Sequence, residues 1–189
     1  MTPLELLASA TETFRVRLSC LTAEDLEGLS TCTEWTVRDI SDHVVGGNRF
    51  AVATLAGEPL DSAVQSAMRG GFDGDPVDLF SVSATAQLRA FNSPEVLTNS
   101  VEHPMGAITG KEFLEFRICD LVLHSWDVAR STGGDERIAD ELVEFVLRQF
   151  ADGKGRVLDS KSYDSPIHHG NESSITSWDE ALLLSGRRP

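Results

Sequence analysis

From Lys111 to Gly134 the chain reads KEFLEFRICDLVLHSWDVARSTGG, one long helical period closed by a glycine pair. On a helix, Phe113, Arg117, Leu121, His124 and Val128 fall on one stripe at spacings of three and four residues, with Asp120 beside them. Asp120 and His124 are then stacked one turn apart on an inward face. A carboxylate and an imidazole so placed can hold two adjacent positions of a metal ion, and a third ligand has to come from elsewhere. His43, in SDHVVGGNRF, supplies a second histidine in a similar setting.

The remaining helices follow from their start signals. Thr2-Pro3-Leu4-Glu5 combines an N-cap, a proline at the first helical position and a capping-box acid, so a helix runs from here to about Ser19, with Leu4, Leu7, Thr11, Phe14 and Leu18 inward. The segment from Thr22 to Glu34 is polar and broken. Thr36 with Asp39 then opens a helix from Val37 to Ala56, whose inner face reads Ile40, His43, Val44, Gly47, Phe50, Ala51 and Thr54. Gly46 and Gly47 in mid-helix each cost about 1 kcal/mol relative to alanine, which points to close approach by another helix or a ligand.

A short helical turn is expected over Asp61 to Arg69, and Asp75-Pro76 caps a third long helix to about Phe91, with Phe80, Ser83, Ala84, Gln87 and Phe91 on a mixed face. Val96 to Thr109 alternates around Pro-Met-Gly and predicts a small β-hairpin. Asp135 is expected to cap a fifth helix carrying Ile138, Leu142, Phe145, Val146 and Gln149 inward. Residues 151–176 are polar and without period and predict an irregular, mobile loop, followed by a short terminal helix from Ser177. Four long helices and a terminal one make an all-α bundle the economical architecture.

A chain of 189 residues can bury a core without metal or disulfides, so a metal bound by it serves function rather than folding. Its formal charge of −14, with no Lys/Arg cluster, disfavours nucleic acid and anionic membrane surfaces as partners. No apolar run approaches the ~20 residues of a spanning helix, and the N-terminus lacks a signal-peptide pattern. Cys20, Cys32 and Cys119 show no CxxC spacing, which fits a reducing compartment, so the expectation is a soluble cytoplasmic protein.

His43, Asp120 and His124 have the composition of open catalytic metal sites, two imidazoles and one carboxylate. The same acid and histidine also serve elsewhere as a helix-stabilising pair, and a buried histidine is often only hydrogen-bonded. Arg117 can hold the Asp120 carboxylate, meet an anionic substrate or cofactor, or form a core ion pair. Asp127 can orient the His124 ring or pair with Arg130 at the rim. Trp35 and Trp126 read as packing residues, and His103, His168 and His169 as solvated turn and loop residues. No nucleophile-elbow, P-loop or dinucleotide motif is present.

CTEWTVRDISDHVVGGNRF and RICDLVLHSWDVARSTG together resemble the actinobacterial DinB-like proteins related to the N-terminal domain of mycothiol-dependent maleylpyruvate isomerase, and the closing ALLLSGRRP is similar to the end of those chains. The resemblance spans most of residues 2–150 and the last helix. It implies one DinB-like four-helix-bundle domain over residues 1–189, with a small β-hairpin and a short C-terminal helix. It implies a divalent metal, zinc first and nickel second, on His43, Asp120 and His124, with Asp120 standing where the isomerase carries glutamate. The wider superfamily implies a transferase or isomerase using a small thiol such as mycothiol as cosubstrate, with an electrophilic second substrate; the alternative is a non-catalytic metal-binding stress or interaction protein. Val143, Phe145, Val146, Leu147 and Phe150 exceed one inward stripe, which argues for a homodimer if the terminal helix does not cover them.

Overall fold

A computed structural model describes residues 1–151, 165–167 and 175–189; most of the predicted loop over 151–176, with His168 and His169, lies outside the described residues. The chain forms two compact units, Met1–Arg137 and Ile138–Pro189.

The first unit is built on four long helices, α1 (Pro3–Ser19), α3 (Val37–Leu55), α5 (Pro76–Phe91) and α7 (Gly110–Thr132). Helix α1 packs on α7 and α5, and α3 packs on α5 and α7, so the four close into a bundle. Their starts are set locally. Thr2 with Glu5, Thr36 with Asp39 and Thr109 with Glu112 form reciprocal capping boxes, and Asp75 accepts from the backbone of Val77 and Asp78. Each such cap contributes about 1 kcal/mol. Gly133, at φ 66°, ends α7 in the left-handed conformation that glycine adopts without a Cβ clash.

Helix α7 is buried along most of its length, from Phe113 to Ala129, because it is enclosed by neighbours rather than lying on the surface. Phe14 meets Phe80 at a centroid distance of 4.9 Å, and Phe113 meets Phe91 at 5.9 Å and Phe50 at 5.7 Å. Helix α4 (Leu60–Met68) covers α3. The expected hairpin is present but shorter: β1 (Ser100–His103) pairs antiparallel with β2 (Gly106–Thr109), His103 opposite Gly106, and the residues before it form a helical turn, α6 (Pro94–Thr98). Proline at the first position of that turn sets its φ, which favoured helix over strand there.

Three other sequence expectations change. The segment read as broken contains a short capped helix, α2 (Ala23–Glu27), and Leu29 bridges to Thr36. Asp135 does not cap a helix; its carboxylate takes the Arg137 guanidinium and backbone N–H, and α8 begins at Asp140. His103 is buried rather than solvated, its ring edge-on to Phe50, Phe113 and Phe116.

In the second unit α8 (Asp140–Ala151) packs on α9 (Ser177–Leu184), with Leu142, Phe145, Val146 and Phe150 buried on one and Ala181, Leu182 and Leu183 on the other. Thr176 caps α9, through Asp179. Phe145, Val146 and Phe150 are thus covered within one chain, and the apolar surplus of α8 shrinks to the half-exposed Val143 and Leu147.

Candidate metal centre

His43 projects from the second turn of α3 toward α7, where Asp120 and His124 stand one turn apart. Nε2 of His43 lies 3.3 Å from Asp120 Oδ1, and Nε2 of His124 lies 3.5 Å from the same oxygen. The two imidazole rings meet edge-on at 5.0 Å. One ligand atom from each residue lies within 4.8 Å of the others, so the three form a group able to hold a cation. Donor atoms about 2.0–2.2 Å from a tetrahedral ion stand roughly 3.3–3.6 Å apart, and the two spacings at Asp120 Oδ1 fall in that range. Asp120 and His124 are buried, whereas the His43 side chain is 40 % exposed, which leaves the centre open on the α3 side.

Each oxygen of Asp120 has its own partner. Oδ1 faces the histidines, and Oδ2 accepts from Arg117 Nη1 at 2.6 Å. Burial pushes this carboxyl upward, but the adjacent guanidinium, helped by His43 and His124, outweighs it and holds Asp120 well below the ordinary carboxylate range. Arg117 is itself enclosed: Nε donates to Gln87 Oε1 at 2.8 Å, and Nη2 donates to Asn48 Oδ1 at 2.9 Å and to the Val44 carbonyl at 3.4 Å. The structure places it against the Asp120 carboxylate and three further acceptors inside the bundle. Gly47 makes room for it, since a Cβ there would stand 2.8 Å from the guanidinium carbon.

His124 is fixed from its other side. Nδ1 meets Asp127 Oδ2 at 2.9 Å, and Asp127, 1 % exposed, accepts from Thr31 Oγ1 at 3.0 Å and from Cys32 Sγ at 3.5 Å. Asp127 therefore orients the imidazole, while Arg130 meets Glu136 at 3.4 Å and lies over the Trp126 ring. A carboxylate on the distal nitrogen of a histidine fixes its tautomer and turns Nε2 toward a ligand position. Trp35 packs, as expected, but on the site itself: its ring lies 5.0 Å from that of His43 and stacks 6.2 Å from that of His124. Cys119 faces the core, its thiol pushed up by burial and by Asp120, and is no ligand.

The sequence reading missed Asn48, Gln87, Thr31 and Cys32. Gln87 and Asn48 are polar residues on inner helix faces, a signal that a buried charge needs partners. Thr31 and Cys32 sit in a loop without period and gave none.

Fold and donor set define a helical-bundle protein with a two-histidine, one-carboxylate centre between facing helices. The family model of the mycothiol maleylpyruvate isomerase N-terminal domain matches residues 7–129, and the chain belongs to that family. Two uncharacterized proteins from two strains of Mycobacterium tuberculosis are each 30% identical to it over 142 residues, covering 75% of this chain and 74% of theirs. Crystal structures of the mycothiol-dependent maleylpyruvate isomerase and of a mutant of it superpose with TM-scores of 0.61 and 0.60, at 18% and 17% identity, over 78% of this chain and 68% of theirs. These show the DinB-like helical fold. No helix among the described residues is long and apolar enough to cross a membrane.

Proposed function

We propose that the protein binds one divalent metal, zinc first and nickel second, through His43, Asp120 and His124, and uses it in a mycothiol-type thiol transfer or isomerisation on a small electrophilic substrate in the cytoplasm. The observation that carries this reading is the pair of spacings at Asp120 Oδ1, 3.3 and 3.5 Å to the two Nε2 atoms, with one side of the centre open. Imidazole and carboxylate donors suit both metals. Such an ion, when bound, supplies Lewis acidity that lowers the pKa of a thiol brought to it.

The chain's own residues set the conditions for that chemistry. Arg117 keeps Asp120 ionised and fixed in rotamer, so the carboxylate offers Oδ1 without competing for a proton. Asp127 holds His124 with Nε2 toward the same point. The exposed His43 edge marks the direction from which thiol and substrate enter. Family membership supports the thiol half of the reading, since the family is described by a mycothiol-dependent activity.

Metal content of the purified wild type against His43→Ala and His124→Ala tests the metal half; about one equivalent in the wild type and loss in both variants is expected, and equal content in all three would refute it. For the thiol half, mycothiol should raise the melting temperature of the metal-loaded form and leave the metal-free form unmoved.

A further inference from the structure

The segment between α2 and α3, Gly28 to Thr36, touches the residues of the candidate centre at two places, outside the His43, Asp120 and His124 group. Thr31 and Cys32 both donate to the Asp127 carboxylate, one to each oxygen, and Asp127 Oδ2 is the atom that meets His124 Nδ1. Four residues on, Trp35 lies against both imidazoles. The segment is tied by its own backbone bonds. Ser30 N–H donates to the Trp35 carbonyl at 2.8 Å, Trp35 N–H to the Cys32 carbonyl at 3.1 Å, and Leu29 bridges to Thr36. Thr31 N–H donates to Ser131 Oγ at 3.0 Å, a second tie to α7. Glu34 adopts φ 66°, a left-handed conformation that a non-glycine residue holds only when its surroundings impose it.

We propose that this loop is a positioning element of the metal centre: Thr31 and Cys32 latch it to Asp127, and through that single carboxylate they fix both the tautomer of His124 and the seat of Trp35 over the imidazoles. The inference rests on the metal reading above. The physical reason is that a buried carboxylate with few donors is free to rotate, whereas one held at both oxygens presents a fixed lone pair to the ring nitrogen. Neither loop residue belongs to the His43, Asp120 and His124 group, so for that group both act as positioning residues. Trp35 walls the site beside the open His43 edge, and its place there depends on the same latch.

The test compares Thr31→Val/Cys32→Ala, which removes both donors at similar shape, with Thr31→Ser/Cys32→Ser, which keeps a hydroxyl at each position. Zinc affinity by chelator competition should fall about tenfold in the first and stay at the wild-type value in the second. In the metal-free proteins at neutral pH, the His124 ring nitrogen shifts and the ring-current shifts of the His43 protons should move in the first and not in the second. Wild-type affinity and unmoved shifts in the Val/Ala form would overturn the proposal, as would a Ser/Ser form as weak as the Val/Ala form, which would mean loop packing alone is responsible. If zinc binds to none of the proteins the metal reading fails, while the shifts of the metal-free forms still decide the latch.

Discussion

Arg117 Nη1 stands 2.6 Å from Asp120 Oδ2, both side chains nearly sealed from solvent, and this pair divides the carboxylate into an oxygen committed to the core and an oxygen committed to the histidines. The surrounding bonds to Gln87, Asn48 and the Val44 carbonyl account for the stability of so buried a cation.

Replacing the cation should therefore cost more than any single helix-surface change. Arg117→Met leaves Asp120 buried without its partner, and a loss of about 3–5 kcal/mol in denaturant unfolding is expected. In the wild type the folded-state pKa of Asp120 is depressed, so its contribution is present above the unfolded value of about 3.9 and is lost as pH falls below that. Arg117→Met should lose this part of the acid dependence. An unchanged midpoint would mean that the pair adds nothing to the fold.

Gly47→Ala is expected to act on the same pair from α3. The new methyl group would press on the guanidinium, and overpacking of this kind costs about 1–3 kcal/mol. Zinc affinity should fall with stability, because the displaced arginine carries Asp120 with it. Gly46→Ala is the control: its Cβ would meet only ordinary contacts with Ala67 and Phe72, so a much smaller loss should appear in thermal melts.

Asp127→Ala should weaken zinc binding by about 10–100-fold while leaving all three ligands in place. Isothermal titration against the wild type gives the ratio directly. An affinity equal to wild type would show that His124 is oriented by packing alone.

His103 predicts a pH dependence at the hairpin. Burial among aromatic rings, with Arg117 adding to it, lowers this imidazole to about 4, and its Nδ1 accepts from the Met105 N–H at 3.3 Å, a bond the protonated ring cannot make. The unfolded state then binds the proton first, at the ordinary value of about 6.5. Stability should be full above about 6.5 and decline as pH falls from there toward 4. His103→Phe should remove that part of the slope in urea midpoints measured across this range; an identical slope would mean that other groups set it.

The sequence by itself determined the parts of this protein that depend on neighbours within about four residues. Thr2 with Glu5 and Thr36 with Asp39 mark their helix starts because both partners of each cap lie inside one turn, and the i to i+4 spacing alone stacks Asp120 beneath His124. The glycine at position 47 signalled close approach for the same reason, since its cost is local. Where the local signals competed, as at Asp135 beside Arg137, an ion pair across two residues displaced the expected cap.

Only the tertiary structure decided which partners the buried polar side chains take from other elements. His43 meets Asp120 across 77 positions, Arg117 meets Gln87 across 30 and Asn48 across 69, and Thr31 reaches Asp127 across 96. Those choices depend on the register and separation of packed helices, which no short-range pattern encodes. The same holds for His103, which a turn sequence left solvated and which the faces of Phe50, Phe113 and Phe116 enclose. A buried polar group must be satisfied wherever packing puts it, so its partner is fixed by the assembled bundle and not by its place in the chain.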